Sequence, residues 1–345
     1  MANHKVTLGD VAREAGVSTS TASEALSGRG RMTEATRQSV RDAATRLGYR
    51  PNALARGLRT GRTHAIALHH MHAADNFDSE YFREFVAGAL DITRRYDYDL
   101  TLLSSDPERP RAVTPQVDGV IIADPISDDR RAVELLSSGL PVVAGERYPP
   151  GMPTSPVIGI AHEHGLARML DHGYAAGMRR PMLFAAGDTS GWGVVLRDAF
   201  VAWCADRSLP GIHRDTGFRV RDFRREYGAD LTAAVTGPDP SDRVDMVIVS
   251  GEHTALAAVG LLREAGLEVG RDVLLGACAD ARLLEMCDPP VSAIGLSPRS
   301  LGAACTEAMV RHLDDGTPLP DLTLLDAGLA LRESTRGLRD GVTAD

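Results

Sequence analysis

A chain of 345 residues is too long for one ordinary core, so two or three domains are expected. Its 43% hydrophobic and 25% charged residues are those of a globular protein. With no run of 18 apolar residues and no apolar leader in MANHKVTLGD, neither export nor a membrane span is expected, and the expected location is the cytoplasm.

The net charge of −9 divides unevenly along the chain. Residues 1–62 hold eleven Lys/Arg against five Asp/Glu, a net of +6, and the remainder carries −15. A small basic head on an acidic body restricts a polyanion partner to the head. In that head, Thr7 followed by Asp10 predicts a capping box opening a short helix with Leu8, Val11, Ala12 and Ala15 on one face. Gly16 breaks the helix and Val17 tucks beneath it. Ser18 is placed to cap a second helix running to about Ser27, with Ala22 and Leu26 inward. Thr33 caps a third, with Val40, Ala43 and Leu47 inward and Gly48 ending it. Two short helices joined by a tight glycine turn and braced by a third make a helix-turn-helix.

In a helix-turn-helix the second helix enters the major groove and its N-terminal residues reach the base edges. Thr19, Ser20, Ser23 and Glu24 are then the outward positions. Short hydroxyls suit that place, because they donate to or accept from bases and phosphates at close range. A polar, solvent-facing helix with an ordinary cap is the other reading of the same residues. The next stretch, YRPNALARGLRTGRT (residues 49–63), carries Arg50, Arg56, Arg59 and Arg62 around Leu58. Gly57 in its middle costs about 1 kcal/mol relative to Ala, so a helix this short folds only when a partner stabilises it. Leu58 is suited to wedge between base pairs in a minor groove.

VTLGDVAREAGVSTSTASEAL, TEATRQSV and LGYRPNALARGLRTGRT together resemble the head and hinge of lactose-repressor-type regulators, the LacI/GalR family, almost unbroken from Val6 to Thr63. The resemblance implies a DNA-binding domain over residues 1–50, a hinge over 51–63 and an effector-binding, dimerising body over 64–345. It implies operator contacts from Ser18, Thr19, Ser20, Thr21 and Ser23 on the recognition helix, and from Asn52, Ala55 and Leu58 in the hinge. Thr7, Leu8, Arg31, Thr33 and Arg56 complete the expected DNA-contacting set. Glu24 departs from the family, where an arginine is common. A carboxylate accepts from a cytosine amino group and repels phosphate, so Glu24 either selects a different operator base or leans outward without a role.

From residue 64 strand-like and helix-like stretches alternate. HAIALHH, DLTLLSS, VDGVIIADP and LPVVAGE read as strands, with SEYFREFVAGALDITRRY and DRRAVELLSSG as helices between them. A second series follows, with strands RPMLFAAG, DMVIVSG and DVLLGACA and helices HGLARMLDHGYAAG, GVVLRDAFVAWCADRSL and EHTALAAVGLLREAGL. Such alternation implies parallel sheets wrapped on both faces. The expected fold is thus a small all-α helix-turn-helix head plus an α/β body of two doubly wound lobes, like the periplasmic binding proteins. Lobe one is expected at about 64–157 and 294–323, lobe two at about 158–293 and 324–345. PPVSAIGLSPRSLGAACTEAMVRHLDDG is expected back on lobe one, and the C-terminal stretch near lobe two. Where relatives have a full helix, this chain has the short PERPRAVTPQ, so that helix is expected to be lost or reduced.

The cleft between the lobes faces the strands' carboxyl ends, where small ligands bind in open α/β sheets. His70, His72, Asp124, Trp192, Arg197, Phe223, Gly251, Glu252, Ala279 and Asp280 are expected there. Several polar anchors of sugar-binding relatives are replaced: Gly251-Glu252 stands for Asn-Asp, Ala279-Asp280 for paired aspartates, and Val194 and Leu196 for an arginine, leaving Arg197 one position out of register. An unusual effector, or none, is expected.

No metal or cofactor is expected. His69, His70 and His72 lack a Cys or carboxylate set, HEHG at 162–165 lacks the HExxH spacing, and Cys204, Cys278, Cys287 and Cys305 lie far apart as reduced thiols. No nucleophile elbow stands out, so an enzyme is not expected. The reading is a repressor of palindromic operators, a homodimer or a tetramer built from two of them, whose affinity a small molecule in the cleft modulates. The alternative is a small-molecule receptor or enzyme on the same fold with a vestigial head.

Overall fold

The computed structural model describes residues 6–26, 30–49, 62–103, 116–217, 220 and 222–338. The chain divides into two compact units, Met1–Thr63 and His64–Asp345.

In the first unit, α1 spans Leu8–Glu14 behind a complete capping box. Thr7 Oγ1 accepts from the Asp10 backbone N–H at 3.3 Å, and Asp10 Oδ2 accepts from the Thr7 N–H at 2.9 Å. The Thr7 hydroxyl and N–H, together with Arg13, hold the Asp10 carboxyl down at about 2. Gly16 takes φ +66°, a left-handed turn open to glycine without strain, and α2 follows at Thr19–Leu26. Ser18 Oγ accepts from Thr21 N at 3.1 Å, capping α2. Helix α3, Glu34–Leu47, begins at the Thr33 cap and stops at Gly48, φ +65°. The three helices bury Val11, Ala12, Ala22, Ala25, Val40, Ala43 and Ala44, with Leu8, Val17, Leu26 and Leu47 partly buried around them. Ala25, rather than Leu26, takes the fully buried place on α2.

Among its described residues the second unit contains two six-stranded sheets. The first has the order β11-β5-β4-β3-β1-β2, all parallel, from β1 (Ala65–His69), β2 (Asp99–Leu102), β3 (Gly119–Ala123), β4 (Val142–Gly145), β5 (Val157–Ile160) and β11 (Leu322–Leu325). The second runs β12-β10-β9-β8-β6-β7, from β6 (Pro181–Ala185), β7 (Ile212–Asp215), β8 (Met246–Val249), β9 (Leu274–Ala277), β10 (Ser292–Gly295) and β12 (Gly328–Ala330). Only β12 is antiparallel to its neighbour. The central strands, such as GVIIA and MVIV, are buried on both faces, which is why they read as unbroken apolar runs.

Helices Glu80–Arg95 and Pro298–Asp315 cover one face of the first sheet. The former presents Phe82, Phe85, Ala89 and Ile92 at helical spacing. The two helices touch backbone to backbone: a Cβ on Gly88 would fall on the Arg299 carbonyl, and one on Gly302 on that of Phe85. Helix Arg130–Leu136 closes the opposite face. In the second lobe, helices Phe223–Thr236 and Glu252–Glu264 cover one face of the sheet.

Among the described residues the chain passes between the lobes after Ile160, after Gly295 and after Leu325. One expectation is corrected here. The stretch Ser292–Gly295 belongs to the second lobe, because Ser292 and Ala293 pair with Gly276 and Ala277 of β9. Only the following helix returns to lobe one. Strands β5, β7, β10, β11 and β12 arise where the sequence alternation reveals none. The PERPRAVTPQ connection lies for the most part outside the described residues.

Candidate nucleic-acid interface and effector cleft

On α2, Thr19, Ser20 and Glu24 are exposed and Ser23 is half-buried, while Ala22 and Ala25 face the core. The helix therefore turns a polar face outward from its first turn. Ser18 and Thr21 hydroxyls lie 2.8 Å apart, and Ser18 and Ser20 2.7 Å, a small network at the helix start. Thr7 and Thr33 are exposed and occupied as caps, Arg31 is exposed, and Leu8 lies partly buried against the head core. The Glu24 carboxylate lies against Gly30, whose φ is +85°, on the way to α3. Asn52, Ala55, Arg56 and Leu58 lie outside the described residues.

In the body, a cavity of about 200 Å³ opens at the carboxyl ends of strands from both lobes. Lobe one supplies His70 after β1, Asp124 after β3 and Gly145 at the end of β4. Lobe two supplies Ser250, Gly251 and Glu252 after β8, and Cys278 and Ala279 after β9. Tyr81, Phe82 and Phe85 line it from helix Glu80–Arg95, His162 from the start of helix His162–Ala175, and Trp192 from the first turn of helix Gly191–Asp206.

The cavity's polar wall is acidic. Asp124 and Glu146 follow the adjacent strands β3 and β4, and both take positive φ, 57° and 119°. Such a backbone costs of order 1–3 kcal/mol in a non-glycine residue and persists where the surroundings over-determine it, as at ligand clamps. Glu146 collects three donors: the Tyr81 hydroxyl at 3.1 Å, His162 Nε2 at 3.0 Å and the Ile160 N–H at 3.4 Å. Burial, then the Glu146 carboxylate, pushes Asp124 well above the ordinary carboxylate range, against the opposing hydrogen bond from Trp192. Burial and Glu146 likewise raise the Tyr81 phenol. Asp124 Oδ1 and His162 Nδ1 are buried without a hydrogen-bond partner. Direct contacts tie the lobes together: Glu80 N–H donates to Glu252 at the cavity at 3.1 Å, and Ser127 N–H to the Thr189 carbonyl at 3.0 Å.

Of the residues expected in the cleft, His70, Asp124, Trp192, Gly251, Glu252 and Ala279 line this cavity. Four do not. Phe223 is 4% exposed and buried in lobe two, its ring 5.2 Å from that of Phe184 and 5.7 Å from that of Tyr227, so it is a core residue with no face to offer. Asp280 is held bidentately by Arg332, at 2.7 and 3.0 Å. Arg197 is paired with Asp188 and Asp198. His72 precedes a short helix and donates its N–H to His70 Nδ1 at 3.0 Å. Strand alternation sends His69 the other way, onto Asp129 at 2.7 Å in the core. Burial favours the neutral form of Asp129, but His69 and the Ala132 N–H outweigh it and its pKa is lowered.

The sequence reading missed Tyr81, Phe82, Phe85, Glu146 and His162. Glu146 closes the apolar run LPVVAGE at a strand's carboxyl end, a signal that could have found it. His162 stands in the HEHG stretch, whose spacing is not that of a zinc site, and it occupies the start of a helix. Among the described residues, no group of three His, Cys, Asp or Glu stands together as a metal site, and no helix is long and apolar enough to cross a membrane.

A helix-turn-helix head with an outward hydroxyl-rich helix, joined to a two-lobed body with a cavity at its strand ends, defines a DNA-binding regulator carrying a receptor domain. Residues 7–52 match the family model for bacterial regulatory proteins of the lacI family, and residues 170–335 that for the periplasmic binding protein-like domain. Residues 7–52 thus carry a DNA-binding domain of the lacI-family type, and residues 170–335 a periplasmic binding protein-like domain. The chain is 24% identical to catabolite control protein A of Priestia megaterium over 96% of this chain and 99% of the relative. It is 29% identical to the HTH-type transcriptional regulator CelR of Thermobifida fusca, over 95% and 98%. Among solved structures, the lac repressor dimer bound to operator and the anti-inducer ONPF superimposes with a TM-score of 0.76 at 21% identity, covering 96% of this chain and 99% of that one. A CelR–cellobiose complex gives 0.64 at 24% identity, over 95% and 99%.

Proposed function

We propose that this chain represses transcription as a homodimer on palindromic operators, and that a small molecule in the inter-lobe cavity sets its affinity for DNA. The observation that carries the reading is the pairing of two features in one chain. The outward face of α2 offers short hydroxyls at a helix N-terminus, and the strand ends of two lobes enclose a polar and aromatic cavity. Two-fold symmetry follows from the DNA side, since each head reads one half-site. The CelR relative is described in complex with cellobiose and the lac repressor in complex with operator and anti-inducer, which supports the same pairing of ligand and DNA here.

The coupling is one of linkage. A ligand that prefers one arrangement of the lobes changes the spacing of the two hinges, residues 52–60, and with it operator affinity. The test is titration of palindromic duplexes against scrambled ones over a range of salt. The reading expects one specific site with a steep salt slope, and Leu58→Ala weakening specific binding at least about tenfold while sparing nonspecific binding. Weak, sequence-blind binding would instead favour a receptor with a vestigial head.

A further inference from the structure

The cavity is built to accept hydrogen bonds. Two of its buried atoms lack a partner, Asp124 Oδ1 and His162 Nδ1. His162 is only 3% exposed. Its Nε2 is engaged by Glu146 at 3.0 Å, and in the tautomer that donates Nε2–H to that carboxylate Nδ1 accepts. Asp124 and Glu252 line the cavity, and Glu146, at the end of the strand next to that of Asp124, acts on the Asp124 carboxyl. No lysine or arginine lines it among the described residues, and neighbouring Arg147 is engaged by Glu163 at 2.7 and 3.1 Å. A phosphate or carboxylate ligand would therefore meet carboxylates with no counter-charge. A volume of about 200 Å³ lies below the ~300–1,000 Å³ of drug-sized sites.

Resting on the effector reading above, we propose that the ligand is a compact compound carrying a protonated amine, with the ammonium donating to Asp124 and His162 beside the Trp192 ring. The ammonium carries several donors for these acceptors, and it brings the charge that Asp124 and Glu252 in the cavity wall favour. Trp192 lines the same cavity, and an indole within reach of a cation attracts it through its ring electrons. Asp124 is held toward its neutral form by burial and by Glu146, and a cation placed against it relieves that pressure.

The experiment is a thermal-shift and affinity panel on the full-length protein, using hexoses, their 2-amino counterparts and their 6-phosphates, and linear polyols against diamines of equal length. At least one aminated probe is expected to bind about tenfold or more tighter than its hydroxyl twin, and the phosphates not to bind. Asp124→Asn is expected to abolish that preference. Asparagine tolerates the positive φ at this position, and the variant's own melting transition reports whether it folds. If a neutral twin or a phosphate binds as tightly as the amine, or Asp124→Asn weakens amine and neutral ligands equally, the ammonium inference falls while the effector reading stands. If no probe of any class binds, both fall.

Discussion

The head and the body bury different kinds of side chain. Among the described residues, the head closes over five alanines and two valines, whereas the body fully buries Phe85, Phe184 and Phe200 with many isoleucines and leucines. Apolar area is the main source of folding free energy, so the head has little of it to draw on. Its helices come close because alanine permits it, and their ends are fixed by Thr7, Ser18 and Thr33. The body uses caps as well, Ser190 and Asp129 among them, but adds large rings locked between helix and sheet.

That contrast sets an order of mutational effects. Phe85→Ala should cost about 3–5 kcal/mol, lowering the melting transition of the body in calorimetry while the head's transition stays put. A cost under about 1 kcal/mol would mean that the large body rings do not carry its stability. Ala22→Leu, at a position fully enclosed in the head, should cost about 1–3 kcal/mol by overpacking. It should abolish operator binding and leave ligand-induced stabilisation of the body unchanged.

Thr7→Ala should cost the head about 0.5–2 kcal/mol through the lost cap. The same capping box gives a pH signature. Because Asp10 titrates at about 2 in the folded head, below its free value of roughly 3.9, its contribution is fully present above the free value and fades as pH falls through 2. A head melted between pH 5 and 2 should lose stability along that course, and Thr7→Ala should flatten it. At the bottom of the scale, Arg46→Ala removes an exposed pair with Glu14 at 3.3 Å and should change stability by about 0–1 kcal/mol. A larger loss would give this surface pair a share of the stability assigned to the caps.

The two regions were also unequally readable. Thr7, Asp10, Gly16, Ser18, Thr33 and Gly48 stand in the amino-acid order where caps and stops must be, because a cap bonds to backbone only three residues away. The body's strand and helix alternation was visible for the same local reason. The short strands Val157–Ile160, Ile212–Asp215, Ser292–Gly295, Leu322–Leu325 and Gly328–Ala330 were not, since runs of three or four residues are too short to show a period and become strands only when a neighbour pairs with them. In the cavity, Phe223 illustrates the limit. Its aromatic ring beside a strand end suggested a stacking platform, yet its helix turns it onto Phe184.

Local chemistry in the chain thus settled the helix-turn-helix, the outward face of α2 and the α/β pattern of the body, because each depends on residues a few positions apart. The acidic cavity came from folding in space. Asp124 and Glu146 meet since β3 and β4 lie side by side, and His162, Trp192 and Glu252 join them from helices that begin at three separate points in the chain. No spacing in the sequence records that convergence, because strand order and lobe crossing bring those ends together.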